Sequence, residues 1–148
     1  MLSRVRPDAL ERVSPEFRLE VLAVPDDIDE LGHVSNLVYV RYVQEAAKAH
    51  SLAVGWSYEA YLKLGAVFVV RKHDIEYLAP AYAGDRIVLT TFVASWSAAT
   101  SVRRTRIARA GDGKELARAS TLWALVSTES GRPRRIPIEV RDSFAQLF

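Results

Sequence analysis

The segment PDDIDELGHVSNLVYVRYVQEAAKAHSLAV, residues 25–54, decides the fold. It starts as a polar loop and continues as a long stretch in which apolar residues recur at helical spacing. Ser35 or Asn36 can cap a helix at this transition, and Gly55 is a stop signal at the other end. We therefore predict a helix from about residue 37 to residue 54.

The predicted helix is apolar around most of its circumference. Its polar residues follow one stripe, at spacings of three or four positions: Arg41, Gln44, Glu45 and Lys48. The remainder is covered mainly by valine and alanine: Leu37, Val38, Val40, Val43, Ala46, Ala47, Ala49 and Ala53. A helix with so wide an apolar face is enclosed on several sides, and its alanines let a surrounding layer come close.

Strands are predicted on both sides of this helix, because the hydrophobic period there is two. One strand precedes it at residues 17–24 and is ended by Pro25. A short second helix or turn is expected at residues 57–64, before Gly65. Four further strands follow, at 66–79, 85–97, 100–110 and 114–128. We expect these four to form an antiparallel meander.

Together these elements predict an α+β fold, in which an antiparallel five-stranded sheet wraps around one long central helix. A single domain over residues 1–148 accounts for the whole length. Residues 1–15 are interpreted as an irregular lead-in. Residues 138–148 are interpreted as a C-terminal tail with a short helical end.

Composition limits the classes of function. The chain is 49% hydrophobic and 26% charged, as in ordinary globular proteins. It has no cysteine, which excludes a disulfide scaffold, a thiolate nucleophile and a Cys-ligated metal. A net charge of +2 is too balanced to indicate nucleic-acid binding. No segment has the pattern of a membrane span or a signal peptide. We expect a cytoplasmic protein with neither a membrane nor a nucleic-acid partner.

The loop before the helix gathers most of the residues that could carry chemistry: Asp26, Asp27, Asp29, Glu30, His33 and Asn36. Backbone N–H groups at a helix start are unpaired and the helix dipole is positive there, so such a site can stabilise an oxyanion. A nearby carboxylate could attack a carbonyl or deprotonate water. Acidic residues are also common caps, and a lone histidine is usually a packed polar residue. Spacing alone leaves both interpretations open.

Other candidate groups are less specific. Asp29 and His33 are four residues apart and would supply only half of a metal site. Neither a Gly-x-Ser-x-Gly elbow nor a phosphate-binding glycine-rich loop occurs. Glu45 could be a second catalytic carboxylate, but an ion pair with Arg41, four residues earlier, is favoured.

Six basic residues fall on predicted strands: Arg71, Lys72, Arg103, Arg104, Arg106 and Arg109. Alternation puts Arg104 and Arg106 on one face of the sheet and Arg103 on the other. They could form a solvated face, a contact between subunits, or a clamp for the phosphates of a nucleotide-bearing ligand. The pattern does not choose among these.

Two motifs resemble those of one known family. The run DIDELGHVSNLVYVRY at residues 27–42 resembles the D-x-D-x-x-G-H-V-N-N-x-x-Y signature of 4-hydroxybenzoyl-CoA thioesterase-like hotdog proteins. The run FVVRKHDIEYLAPAYAGD at residues 68–85 resembles that family's strand ending in E-Y-x-x-P, with a following G-D turn. The order of elements agrees over residues 17–137. Two motifs at the right separation are far more specific than either alone.

The resemblance implies a hotdog-fold acyl-CoA thioesterase that releases a free acid and coenzyme A. The family's catalytic residue is the second Asp of the signature, Asp29 here, which acts as nucleophile or general base. Backbone N–H groups at the central helix start hold the thioester oxygen. The implied catalytic residues are Asp29, His33 and Asn36. The implied substrate- and CoA-binding residues are Gly32, Val34, Tyr39, Arg71 and Lys72.

The resemblance also implies a homodimer or homotetramer, in which sheets join edge to edge and the active site lies between subunits. It implies no metal, and no cofactor beyond the coenzyme A of the substrate. Trp56, Tyr58, Tyr61 and Val67 are candidates to line the acyl pocket, although packing in the core explains them equally well.

The sequence departs from the family pattern at three places. Ser35-Asn36 replaces Asn-Asn, and Gln44 stands where many relatives have an acidic residue. Leu31 stands where plant acyl-carrier-protein thioesterases have an Asn two residues before the signature His, which disfavours an Asn–His mechanism.

Two other functions are compatible with such a fold. One is an acyl-thioester hydratase or dehydratase. Those enzymes use an Asp and a His five residues apart after a Gly, whereas Asp29 and His33 are four apart with Gly32 between them. The other is a non-catalytic acyl-CoA-binding module, which would keep the fold without using the carboxylate.

Overall fold

The computed structural model describes residues 13–146, so most of the predicted lead-in lies outside the described residues. Within them the chain forms five strands and three α-helices. The strands are β1 (Phe17–Leu22), β2 (Ala66–Tyr77), β3 (Arg86–Trp96), β4 (Thr100–Arg109) and β5 (Glu115–Ser127). The helices are α1 (Asn36–Ala53), α2 (Tyr58–Leu64) and α3 (Ile138–Ser143).

The predicted ends of the long helix are confirmed to within a residue. Ser35 is the N-cap, and its Oγ accepts a hydrogen bond from the N–H of Leu37 at 3.2 Å. At the other end Val54 is the C-cap and Gly55 follows with a positive φ of 98°. Residues with a side chain rarely adopt this backbone conformation, whereas glycine does so readily. Gly55 therefore ends the helix at the position that the sequence indicated.

The five strands form one antiparallel sheet in the order β1-β3-β4-β5-β2. This confirms the predicted architecture of a sheet with one long helix. The expected four-strand meander is wrong in one respect, because β2 pairs with β5 and not with β3. Only β3, β4 and β5 form a meander. Residues 78–85 carry the chain from one side of the sheet towards the other, across three strand spacings or roughly 14 Å.

The crossing segment 78–85 also buttresses the loop before α1. The N–H of Val34 donates to the carbonyl of Ala81 at 2.8 Å, and Arg109 donates to the carbonyl of Pro80 at 2.6 Å. The β2–β3 crossover therefore supports the acidic loop through this backbone contact.

The core lies between α1 and the inner face of the sheet. Tyr42, Val43 and Ala46 of α1 are each 1% exposed or less and pack against a cluster that includes Ile87 and Leu89. The sequence suggested a helix that is enclosed on several sides. This is wrong at the two ends of α1, where Leu37 is 73% exposed and Ala53 is also exposed. The predicted polar stripe faces outward.

Strand β2 is an edge of the sheet. It pairs with β5 on one side, and no strand among residues 13–146 pairs with its other side. A register shift between Val70 and Lys72 places a bulge near its midpoint. A 12-residue edge with one free side can accept a second strand. None of the helices in this part of the chain is both long and apolar enough to cross a membrane.

Candidate active site

The acidic loop is a compact hairpin held by its own backbone. The N–H of Asp29 donates to the carbonyl of His33 at 3.0 Å, and the N–H of Ser35 donates to the carbonyl of Asp27 at 2.9 Å. Gly32 closes the turn with a φ of 85°, which a residue with a Cβ adopts only under strain. The hairpin thus fixes the backbone of Asp29 and His33 relative to the start of α1.

Asp27 anchors this hairpin. Its side chain is 4% exposed and accepts hydrogen bonds from the N–H of Val24 at 3.0 Å and from Nη2 of Arg41 at 2.8 Å. Burial alone would raise the pKa of the Asp27 carboxyl, but the Val24 N–H and the Arg41 guanidinium outweigh it and hold that pKa below its usual value. The first Asp of the motif is therefore a structural carboxylate, ionised and fully engaged.

Asp29 is placed differently. Its side chain is half-buried, and one oxygen, Oδ1, accepts a hydrogen bond from the N–H of Leu31 at 2.9 Å. No cation pairs with it among the described residues. The contact with Leu31 orients the carboxylate without neutralising it.

A cavity of about 500 Å³ lies next to Asp29 at the N-terminal end of α1. Its lining combines the loop, the first turn of α1 and the end of β2: Asp29, Leu31, His33, Val34, Asn36, Tyr39, Tyr77, Leu78, Ala79 and Pro80. The rings of Tyr39 and Tyr77 meet edge to face at 5.5 Å, and the hydroxyl of Tyr77 donates to the carbonyl of Asn36 at 3.2 Å. Burial raises the pKa of the Tyr39 phenol, so it stays protonated at neutral pH.

Two backbone donors remain at this end of the helix. Within residues 13–146 the N–H groups of His33 and Asn36 donate to no protein acceptor, whereas that of Leu37 is occupied by its cap. Unpaired N–H groups at a helix start are suited to a developing negative charge. The His33 ring lies edge-on to that of Tyr82, with 6.4 Å between centroids.

A larger cavity, of about 930 Å³, lies between the outer stripe of α1, helix α2 and the first half of β2. We call it the aromatic cavity, because seven aromatic side chains from residues 13–146 line it: Trp56, Tyr58, Tyr61, Phe68, Trp96, Trp123 and Phe144. Trp56, Tyr58, Tyr61 and Val67, the four candidates for an acyl pocket, all line this cavity. Trp56 stacks on Tyr61 at 5.1 Å, so these rings form a continuous wall.

Arg103 lies on the floor of the aromatic cavity and is only 6% exposed. Its Nη1 donates to Nδ1 of His50 at 2.8 Å and to Oγ1 of Thr91 at 3.1 Å. Burial lowers the pKa of Arg103 to about 10, which leaves it charged at neutral pH. Burial and the neighbouring guanidinium lower the pKa of His50 to about 3, so His50 is neutral.

The sequence pattern separates Arg103 from Arg104 and Arg106 by face, but it did not predict that Arg103 is buried. The signal was present in the alternation along β4, which puts Arg103 in phase with Thr105 and Ile107 on the inner face. The other basic residues do not converge with it. Arg106 is exposed on the opposite face, and Arg109 pairs with Asp85 and Asp112.

Arg71 and Lys72 are both exposed at the middle of β2. They line neither cavity, and lie between them along the strand. Glu45 pairs with Arg41 at 3.4 Å, as expected for the i,i+4 interpretation. Among residues 13–146 no three histidine or acidic side chains come together as a metal site would require.

The hotdog arrangement and its acidic loop define a class of enzyme. A model of the thioesterase-like superfamily matches residues 23–144, so the chain belongs to that superfamily. It is accordingly a thioester hydrolase.

Individual relatives agree with this assignment. The chain is 29% identical over 130 residues to the acyl-CoA thioester hydrolase YbgC of Escherichia coli O6:H1, covering 88% of this chain and 96% of the relative. It shares its fold with Slr0204, a 1,4-dihydroxy-2-naphthoyl-CoA thioesterase from Synechocystis. The TM-score is 0.82 at 21% identity, covering 90% and 98% of the two chains. It shares it also with SAV2348 from Staphylococcus aureus, solved in complex with CoA. That TM-score is 0.82 at 14% identity, covering 90% and 84%.

Proposed function

We propose that this protein hydrolyses acyl-CoA thioesters, with Asp29 as the catalytic carboxylate. One observation carries the proposal. Asp29 lines a cavity at the start of α1 with no cation paired to it among residues 13–146, while the neighbouring Asp27 is engaged in holding the loop. Of the two signature carboxylates, Asp29 is thus the one left to meet a substrate.

In the proposed reaction the thioester carbonyl lies against the start of α1. The N–H groups of His33 and Asn36 donate hydrogen bonds to its oxygen and stabilise the negative charge that develops there. Asp29 takes a proton from water, whose oxygen attacks the carbonyl carbon, or attacks that carbon itself to form an anhydride that water then opens. In either route the C–S bond breaks, coenzyme A leaves as its thiolate and takes up a proton, and the acid is released.

The remaining loop residues have positioning roles in this proposal. Gly32 allows the turn, Val34 ties the loop to the crossover, and Tyr39 supports the cavity wall beside Tyr77. His33 contributes its backbone N–H, and its ring contacts Tyr82.

The acyl group needs more room than one copy of the chain offers near Asp29. In one chain the smaller cavity uses Tyr77–Pro80 and the aromatic cavity uses Val67–Val70, at opposite ends of β2 and roughly 20 Å apart. Antiparallel pairing of two copies of β2 about their midpoint would bring the Tyr77 end of one copy beside the Val67 end of the other. We therefore propose a homodimer in which Asp29 of one copy faces the aromatic cavity of its partner.

Arg71 and Lys72 lie at the midpoint of that pairing, exposed and between the two cavities. Their cationic side chains are placed to bind the phosphates of coenzyme A as these emerge from the cleft. Binding would then weaken as salt concentration rises.

The test is the Asp29→Asn variant, assayed by free-thiol release on a panel of acyl-CoAs. Loss of a general base or nucleophile lowers kcat by roughly 10²- to 10⁴-fold. Asp26→Asn is the matched control, because Asp26 is an exposed loop acid that does not line the cavity. Hydrolysis by Asp29→Asn at the parent rate would exclude the proposed catalyst. Coenzyme A binding without hydrolysis by the parent protein would instead indicate a binding module.

Single-turnover hydrolysis in ¹⁸O-labelled water tests for the nucleophilic route. If Asp29 is the nucleophile, label enters its carboxylate when water attacks the aspartyl carbon of the anhydride. If Asp29 is a general base, label appears only in the released acid, and the same result follows if water attacks the acyl carbon of the anhydride. Labelled Asp29 is therefore the result that identifies the nucleophile. Peptide mass spectrometry over the segment that contains Asp29 reads out the difference.

A further inference from the structure

The floor of the aromatic cavity carries a positive charge that has no counter-ion among residues 13–146. Arg103 is 6% exposed, and its hydrogen-bond partners His50 and Thr91 are both neutral. Its guanidinium also lies 5.7 Å from the centre of the Phe144 ring, which carries no charge. Within residues 13–146 no carboxylate forms an ion pair with it. An ion held in a protein interior without a counter-charge is costly, so the fold keeps this guanidinium at the expense of stability.

The acidic residues that line the cavity do not compensate this charge. Glu45 is engaged with Arg41 on the outer stripe of α1, and Glu59 is exposed on the first turn of α2. Both lie on the helices at the side of the cavity, whereas Arg103 projects from the inner face of β4. The charge at the floor therefore lacks an anion that the described protein could supply.

A second donor lies close to Arg103. The indole Nε1 of Trp123 is buried and forms no hydrogen bond with any group in the described part of the chain. Trp123 lies directly opposite Ser101 in the β4–β5 register, and Ser101 is two positions from Arg103 on the same strand face. Cross-strand neighbours at this diagonal offset lie about 7 Å apart, within reach of one small anion. The floor of the cavity thus presents two hydrogen-bond donors, the guanidinium of Arg103 and the indole of Trp123. A ligand with a hydrogen-bond acceptor would complement them.

We propose that this cavity receives the distal end of the acyl group and that Arg103 binds a carboxylate there. The preferred substrates would then be CoA monothioesters of dicarboxylic acids, with the aromatic walls favouring a ring between the two carboxyl groups. The inference rests on the proposed thioesterase function, which it deepens by naming the class of acyl group. Bidentate binding to a planar guanidinium explains why a carboxylate is selected over a hydroxyl or an alkyl end.

The first test measures binding without catalysis. Isothermal titration calorimetry compares 4-nitrobenzoate with 4-nitrobenzamide, which has nearly the same shape but carries no carboxylate for Arg103 to bind. A charge-assisted hydrogen-bonded pair predicts roughly 10- to 100-fold tighter binding of 4-nitrobenzoate than of 4-nitrobenzamide to the parent protein. Equal affinity for the two ligands overturns the inference. This comparison does not depend on any variant folding correctly.

The second test assigns the preference to Arg103. Arg103→Met keeps much of the side-chain volume and removes the charge, and Arg103→Lys keeps the charge. Arg106→Met is the matched control, since Arg106 lies three residues along the same strand on the exposed face. The affinity ratio of the two ligands should collapse towards one in Arg103→Met and stay at the parent value in Arg106→Met. An unchanged ratio in a folded Arg103→Met protein contradicts the assignment.

Hydrolysis of 4-carboxybenzoyl-CoA and 4-nitrobenzoyl-CoA separates this inference from the proposed function. The readout is the ratio of kcat/KM for the two substrates, compared between the parent and Arg103→Met so that their different intrinsic reactivities cancel. If both substrates are hydrolysed and the kcat/KM ratio is the same in the parent and in Arg103→Met, the inference is overturned. The proposed thioesterase function is unaffected by that result. If neither substrate nor any other acyl-CoA is cleaved, the proposed function fails, and the calorimetric comparison alone decides whether Arg103 binds a carboxylate.

Discussion

Arg41 reaches back from the second turn of α1 to Asp27, and its Nη2 donates to Oδ1 of that carboxylate at 2.8 Å. The same carboxylate accepts the N–H of Val24 through its other oxygen. The buried side chain of Asp27 therefore connects the beginning of the loop to α1. The proposed oxyanion site lies at the start of that helix. The motif's two aspartates divide the work: Asp27 holds the loop and Asp29 faces the cavity.

Replacing Asp27 by Asn should destabilise the protein by about 1–2 kcal/mol, since a charged hydrogen-bonded pair becomes a weaker neutral one. Urea unfolding at pH 7 measures the change. The exposed Asp26→Asn protein should unfold within about 0.5 kcal/mol of the parent. Because the pKa of Asp27 is lowered in the folded protein, its contribution is present above the unfolded pKa and is lost as pH falls through the folded one. The difference in free energy of unfolding between the parent and Asp27→Asn should therefore become smaller below about pH 4. A difference that does not change with pH would contradict this account.

Gly32→Ala should strain the hairpin without causing a clash. A Cβ at Gly32 would meet nothing within 4 Å, so the cost comes from the φ of 85° and amounts to about 1–2 kcal/mol. Gly111→Ala is the control, since that glycine is equally open and has no positive φ. Thermal unfolding measures the stability, and kcat/KM for an acyl-CoA, taken well below the unfolding midpoint, measures the effect on Asp29. A larger loss in Gly111→Ala than in Gly32→Ala would refute the role of the turn.

His50 should make the protein lose stability in mild acid. Burial and Arg103 lower its folded pKa to about 3, so between pH 6.5 and that value the unfolded chain binds a proton that the folded chain does not. Each pH unit across this window then costs about 1.4 kcal/mol. Urea unfolding between pH 4.5 and 6.5 measures how the free energy of unfolding depends on pH. That free energy should fall less steeply with decreasing pH in His50→Gln than in the parent. An NMR titration in which His50 becomes protonated near pH 6 would show the premise to be wrong.

Local patterns predicted much of this structure because local energies decide much of it. The cap at Ser35, the stop at Gly55 and the period-two strands each depend on residues that are neighbours in sequence. The place of β2 beside β5 could not be read in this way, since it depends on which distant edge accepts the strand. The sequence pattern of the loop likewise offered several carboxylates, and the resemblance to a family selected Asp29. Only the contacts of Val24 and Arg41 show what Asp27 does instead.

The buried charge at Arg103 marks the same limit from another direction. Alternation along β4 assigns the face of the sheet, yet Arg103 was compatible with a solvated face, a contact between subunits or a phosphate clamp until its register with Thr121 and Val93 was known. The consequence of that burial, a cation without an acidic partner among the described residues, depends on three strands and a helix at once. Chemistry that needs several elements to converge is where sequence patterns carry least information.

Mixing two inactive variants should restore activity if the site is shared between copies of the chain. Asp29→Asn removes the carboxylate, and Ala47→Phe fills part of the aromatic cavity from α1. In a mixed dimer, one site combines Asp29 of the Ala47→Phe chain with the open cavity of the Asp29→Asn chain. The other site carries both changes.

After the variants are mixed, unfolded and refolded together at equal concentrations, half of the dimers are mixed and each has one intact site. Thiol release per chain should then recover to about one quarter of the parent rate, while each variant alone stays inactive. Circular dichroism of the separate variants checks that both fold, and light scattering checks that dimers form. If Asp29 and its acyl pocket belonged to the same chain, no mixture of these variants could regain activity, because every site would retain one of the two defects.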